Sequence, residues 1–247
     1  MNSKYFHSLA VAFLFGLILG LPISCSQSSS IEMGLAGARP LAPTSLVLKS
    51  SEEYLNIQPL KDATLVVVSP SGKYGSSVAI AKGNPGKTIL LTAAHIFVDE
   101  PGIALPVGTE LQIYGYQIEI DLEVKGRLMK IAVEIDLALV EMDYVLNPVQ
   151  LADKDPVEGT VVLAVGYPMN IVPCIGTIGV VFNVSEGEIH HTAGIYYGNS
   201  GGPLFDLHTH RMVGINIHIF STRGIRRSDN AGARSIEEVH KFLSEKK

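Results

Sequence analysis

The chain has 247 residues, 47% of them hydrophobic, and 24 acidic against 19 basic side chains give a formal charge of −5. That length holds one large core or two small ones, and the mild acidity excludes the basic footprint of a nucleic-acid binder without naming an acidic or basic substrate. Two cysteines, Cys25 and Cys174, exclude a disulfide-built scaffold.

Residues 1–25 read as an export signal. Lys4 and His7 form a short basic start, and Leu9–Leu21 is an uncharged apolar run of thirteen residues. A membrane-spanning helix needs about 20 apolar residues, so the run is short for an uncleaved anchor helix, and Pro22 breaks it. The segment Leu21-Pro22-Ile23-Ser24-Cys25 resembles the lipobox of bacterial lipoproteins, with Pro22 where leucine is usual. The resemblance implies a lipid on Cys25 and a membrane-anchored, periplasmic or cell-surface protein; the alternative is an ordinary secretory signal. With Cys25 so used, Cys174 has no partner and is expected as a small buried hydrophobe. Residues 26–60 open with Ser26-Gln27-Ser28-Ser29-Ser30, contain Pro40 and Pro43, and lack a sustained apolar period. They read as a tether that gains structure towards Lys61.

From residue 61 onward the pattern is that of short strands between turns. Leu65–Val68 stops at Ser69-Pro70-Ser71-Gly72, Val78–Ala81 stops at Gly83-Asn84-Pro85-Gly86, and Thr88–Thr92 follows at once. Leu111–Tyr114 and Tyr116–Ile120 flank Gly115, a candidate bulge. Glu123–Leu128, Leu137–Met142, Val161–Val165, Ile175–Val184 and Met212–Ile219 complete the series. Regular short strands rich in Val and Ile predict a sandwich or barrel. The tail is the one strong helix: Ser235-Ile236-Glu237-Glu238 is a capping box, and Ile236, Val239, Phe242 and Leu243 share a face.

Three motifs carry chemistry. In Gly198-Asn199-Ser200-Gly201-Gly202-Pro203 the serine is a candidate nucleophile. A hydroxyl needs a base to take its proton, and the ensuing oxyanion needs backbone N–H donors. Flanking glycines let the main chain turn tightly and approach a substrate. In Thr92-Ala93-Ala94-His95 two small residues leave room for an imidazole at the end of a strand. In Asp136-Leu137-Ala138-Leu139-Val140 an acid opens an apolar strand, where it can fix the tautomer of a histidine; the rival acids Glu134 and Asp143 do not stand there.

The order His95, Asp136, Ser200, with these motifs, resembles the chymotrypsin-like (trypsin-like) serine proteases over roughly residues 61–225. Asn199 before the serine is similar to the bacterial HtrA branch and to bacterial glutamyl endopeptidases. Gly75-Ser76-Ser77-Val78 looks like the strand before the histidine, and Val213-Gly214-Ile215-Asn216 like the strand lining the cleft. The resemblance implies an all-β fold of two packed six-stranded antiparallel barrels, at 61–145 and 146–225, followed by a helix at 235–245. It implies a serine endopeptidase with His95 as base, Asp136 as orienter, Ser200 as nucleophile and the N–H groups of Gly198 and Ser200 as oxyanion hole. The pocket for the residue before the cut would be lined near Gly194, Ile195, Asn216 and Ile217. Gly194 replaces the aspartate of trypsin and Asn216 the histidine of glutamyl endopeptidases, so a small or medium apolar preference is expected. Asn199 cannot pair with a new N-terminal ammonium, so no activation by clipping is expected. With only about twenty residues after the last expected strand, the peptide-binding PDZ domain usual in HtrA proteins is not expected.

No cofactor or metal is expected; His190, His191, His208, His210 and His218 read as surface or cleft residues. Partners are protein or peptide substrates and, through Cys25, a membrane. The competing reading from another class is an inactive relative serving as an adhesin or binding module. An esterase built on the α/β-hydrolase elbow would need alternating strands and helices, which this chain lacks.

Overall fold

The computed structural model describes residues 56–100, 102–117, 120–170, 174–222 and 225–245. The expected export segment, Cys25 and the tether up to residue 55 lie outside the described residues. The last tether residues are helical: α1 (Gln58–Asp62) has a proline in its first turn and buries Leu60. Pro59 costs nothing there, because the N–H it lacks would be unsatisfied anyway.

Six strands close the first barrel: β1 (Thr64–Val68), β2 (Tyr74–Lys82), β3 (Thr88–Thr92), β6 (Glu110–Gln117), β7 (Ile120–Ala132) and β8 (Leu137–Met142), in the order β1-β2-β3-β8-β7-β6. A two-stranded ribbon, β4 (Val98–Glu100) with β5 (Ile103–Ala104), stands outside it. The second barrel contains β9 (Val161–Gly166), β10 (Ile175–Ser185), β11 (Glu188–His191), β12 (Pro203–Asp206), β13 (Met212–Thr222) and β14 (Ile225–Ser235), ordered β10-β11-β14-β13-β12-β9. All the barrel pairings are antiparallel, and closure removes the exposed edges that six short strands would otherwise leave.

The strands alternate as a barrel requires. Leu65, Val67, Ala79, Leu90, Ile113, Leu128 and Val140 fill the first interior, and Val162, Ala164, Val181, Ile189, Leu204 and Val213 the second. The opposite faces of β1, β2, β3 and β9 bring Val66, Val78, Leu91, Leu163 and Val165 into a third core with Tyr167, Phe205 and Phe242. This core joins the two barrels.

Several elements depart from the sequence expectation. Gly115 forms no bulge, since β6 pairs without a register break from Glu110↔Arg127 to Gln117↔Ile120. In the first barrel the register breaks lie at Ala79/Ala81 and Leu128/Lys130. β14 runs to Ser235, ten residues beyond the expected end of the second barrel at 225. Its inward residues Ala231 and Ala233 are small and fully buried, so the strand has no apolar alternation to read. The closing helix α2 (Ile236–Ser244) is as expected: Ser235 Oγ accepts from Glu238 N–H, and Ile236, Val239 and Phe242 are buried.

Candidate active site

β3 pairs with β8 in the register Thr92↔Ala138, so the segments just past Thr92 and just before Leu137 meet at one barrel end. His95 follows in a short 3-10 turn, Ala94–Phe97, flanked by Ala93 and Ala94, both fully buried. Asp136 closes the turn that begins at Val133, with its N–H on the Val133 carbonyl at 3.2 Å. Its φ of 56° is left-handed, a conformation that costs about 1 kcal/mol and is tolerated best by Asp and Asn among non-glycine residues. From there its carboxylate takes two donors from one residue: Oδ1 accepts the His95 backbone N–H at 2.8 Å and Oδ2 meets His95 Nδ1 at 2.8 Å. The Asp136 carbonyl also accepts from Ala94 N–H at 3.2 Å. With Nδ1–H donated to a carboxylate, the lone pair of the neutral ring lies on Nε2.

The Gly198–Pro203 loop leads into β12. Asn199 N–H bonds Tyr196 O at 3.0 Å, Gly202 N–H bonds Asn199 O at 2.9 Å, and Gly201 N–H bonds Asn216 O at 2.7 Å. The Tyr197 carbonyl accepts from Met169 N–H at 2.6 Å. A trans peptide points its C=O and N–H in opposite directions. The peptides 197–198 and 199–200 have their carbonyls held by Met169 and Gly202, so the N–H groups of Gly198 and Ser200 face the other way. Neither N–H has a partner among the described residues. Gly198 sits at φ 96°, and a Cβ there would meet the Tyr167 carbonyl oxygen at 2.4 Å, so the position excludes side chains.

His95, Gly198 and Ser200 line one cleft of about 830 Å³, together with Tyr74, Ile96, Ile195, Tyr196, Tyr197, Ile217, His218 and Ile219. Ser200 Oγ donates to the Ile217 carbonyl at 3.4 Å. Lys73 is the lysine lining the cleft, and among the described residues no carboxylate lines it. Of the four residues expected near the specificity pocket, Ile195 and Ile217 line the cleft. The Gly194 carbonyl accepts from Thr177 Oγ1 at 2.7 Å. Asn216 is fully buried behind the cleft wall, bonded to His191 Nε2 at 3.1 Å and donating to the Gly202 and Pro203 carbonyls. Asn216 thus supports the Gly198–Pro203 loop, a role its sequence position did not signal.

The remaining histidines scatter. His191 is fully buried, contrary to the expectation of a surface or cleft residue, and burial pushes its pKa down to about 4, against the opposing hydrogen bond to Asn216. His190 stacks on Phe220 with ring centroids 4.8 Å apart. His218 pairs with Glu188, N···O 2.9 Å. Partial burial works against ionisation of Glu188, yet its imidazole partner holds the carboxyl below the usual range. His208 and His210 belong to the tight turn after β12, whose Asp206 Oδ1 accepts from His208 and Thr209 N–H. Among the described residues no group of three or more potential ligands could hold a metal ion. Cys174 is 4% exposed and burial pushes its thiol up to about 12, so it is the small core residue expected and no nucleophile.

Two closed antiparallel barrels with a histidine–carboxylate pair and a glycine-framed serine on one cleft define the chymotrypsin-like class. The chain belongs to the trypsin-like peptidase domain family, whose sequence model matches residues 75–215. It is similar in structure to a serine endoprotease from Yersinia pestis, at 22% identity and TM-score 0.62, over 80% of this chain and 66% of that one. It is also similar to the HtrA-type protease AlgW with tripeptide, at 24% identity and TM-score 0.60, over 76% of this chain and 60% of that one. A third likeness is to an inactive form of Rv3671c from M. tuberculosis, at 15% identity and TM-score 0.60, over 76% and 88%. At these identities the likeness speaks for the fold, and the chain spans less than two thirds of the length of the first two. No curated protein matches the chain significantly.

Proposed function

We propose that the chain is a serine endopeptidase that cleaves peptide bonds through an acyl-enzyme. One observation carries this reading: a carboxylate-bound imidazole, a serine hydroxyl and two unpartnered backbone N–H groups share one cleft. Ser200 Oγ swings off the Ile217 carbonyl towards His95 Nε2, which takes its proton as the oxygen attacks the scissile carbonyl. The tetrahedral oxyanion is held by Gly198 and Ser200 N–H. His95 returns the proton to the leaving amine, and a water deprotonated by the same ring then releases the acyl group. Asp136 keeps Nδ1 protonated throughout and stabilises the imidazolium.

Among the described residues four isoleucines and three tyrosines line the cleft and no carboxylate does, which supports an apolar residue before the cut and disfavours Lys or Arg there. Export to the cell envelope rests on the apolar run Leu9–Leu21, and lipidation on Cys25. Labelling by a fluorophosphonate that disappears in Ser200→Ala, with cleavage inside a peptide library, is the expected result. Purified protein that neither labels nor cleaves would support the inactive binding module instead.

A further inference from the structure

The oxyanion hole depends on two clamps, and one side chain of the first barrel holds one of them and the segment that bears the other. Ser76 lies on β2 and is fully buried. Its Oγ donates to the Gly198 carbonyl at 2.7 Å and accepts from Tyr167 N–H at 3.0 Å. Its backbone N–H donates to the Ser200 carbonyl at 2.8 Å, and its own carbonyl accepts from Thr92 Oγ1 at 2.7 Å. One residue thus fastens the nucleophile loop of the second barrel to the strand that precedes His95.

The Gly198 N–H lies in the plane of the 197–198 peptide, and the torsions at Gly198 link that plane to the 198–199 peptide. Glycine at φ 96° has no side chain to restrict those peptides. The preceding peptide is held through Tyr197 O on Met169 N–H, and the following one through Gly198 O on Ser76 Oγ. Met169 stands two residues after Tyr167, whose N–H the same hydroxyl accepts. The hydroxyl therefore holds one clamp directly and the segment bearing the other.

We infer that Ser76 is a positioning residue for catalysis, aiming the Gly198 N–H at the developing oxyanion without touching substrate. The inference rests on the peptidase reading above. Deleting an oxyanion donor outright costs about 10²–10³ in kcat; loosening one is expected to cost roughly 10- to 100-fold.

The test compares Ser76→Ala with wild type in the full chain. It measures peptide hydrolysis, the thermal midpoint, and inhibition by a peptide boronate, whose tetrahedral oxygen occupies the hole, beside the same peptide ending in a carboxamide. The expected result is a kcat lower by roughly 10- to 100-fold with KM within about threefold. Boronate affinity should fall by the same factor as kcat/KM while carboxamide affinity holds. A merely structural serine would lower the thermal midpoint and leave boronate discrimination intact, and that result overturns the inference, as does unchanged kcat. If the alanine variant does not fold, Ser76→Cys, which keeps the shape with a weak donor, is judged by the same ratio. Failure of the wild type to react with a fluorophosphonate would instead strike the peptidase reading itself.

Discussion

Asp136→Asn isolates what the carboxylate contributes. Both oxygens of Asp136 are acceptors for His95, one for the backbone N–H and one for Nδ1–H, each at 2.8 Å. Asparagine has one acceptor and one donor to offer. The backbone N–H cannot change direction, so the amide oxygen stays on it and the NH₂ faces Nδ1. Nδ1 must then accept, the ring proton moves to Nε2, and no lone pair remains there to take the Ser200 proton. The expected loss in kcat is about 10⁴-fold, or about 5 kcal/mol of transition-state stabilisation. Asn is nearly isosteric and suits the left-handed backbone at φ 56°, so the fold should survive. The assay is steady-state hydrolysis near neutral pH beside a thermal melt. Activity within tenfold of wild type, in a protein melting normally, would refute the reasoning about the tautomer.

Other consequences follow from individual contacts. Gly198→Ala places a Cβ 2.4 Å from the Tyr167 carbonyl oxygen at a φ of 96°; peptide hydrolysis should fall by at least 100-fold, as for loss of an oxyanion donor, and native activity would contradict the loop geometry. Lys130 bonds the Phe242 and Glu245 carbonyls at the end of α2 and lies over the Phe242 ring. Lys130→Met should therefore lower stability by about 1–2 kcal/mol in urea titration while leaving kcat/KM intact. His191 is neutral in the folded protein because burial lowers its pKa to about 4, whereas the unfolded chain takes up a proton near pH 6.5. Stability should thus fall as pH drops from about 6.5 to 4, by up to roughly 3 kcal/mol, and His191→Gln should flatten that slope in denaturant midpoints measured across the window. Asn199 is neutral and buried, so purified, unclipped protein should label with a fluorophosphonate at once; labelling that begins only after proteolytic nicking would count against this.

The elements that could be read in advance were those whose residues announce their own environment. Val66, Val78 and Leu91 stand in strands bounded by Gly and Pro turns, and Ser235 with Glu238 marks a helix start. The unread elements carry no such mark. β11 is the mixed tetrapeptide Glu188–His191, and β12 begins on Pro203 inside the nucleophile motif. The buried alanines Ala231 and Ala233 of β14 give no run of large apolar residues to read. Gly115 looked like a bulge since a lone glycine often is one, but its neighbours pair without interruption.

The functional groups divide in the same way. The residues of the proposed triad, His95, Asp136 and Ser200, and the glycine at 198 stand in local motifs, because the reactivity proposed for them demands particular side chains in particular short contexts. The placement of Ser76 beneath Gly198, of Asn216 behind the cleft wall and of Met169 N–H against Tyr197 is not local. Ser76 and Gly198 are 122 residues apart and meet only because two closed barrels pack face to face. Hydrogen-bond partners at such separations follow from strand order and register, which adjacent residues do not encode.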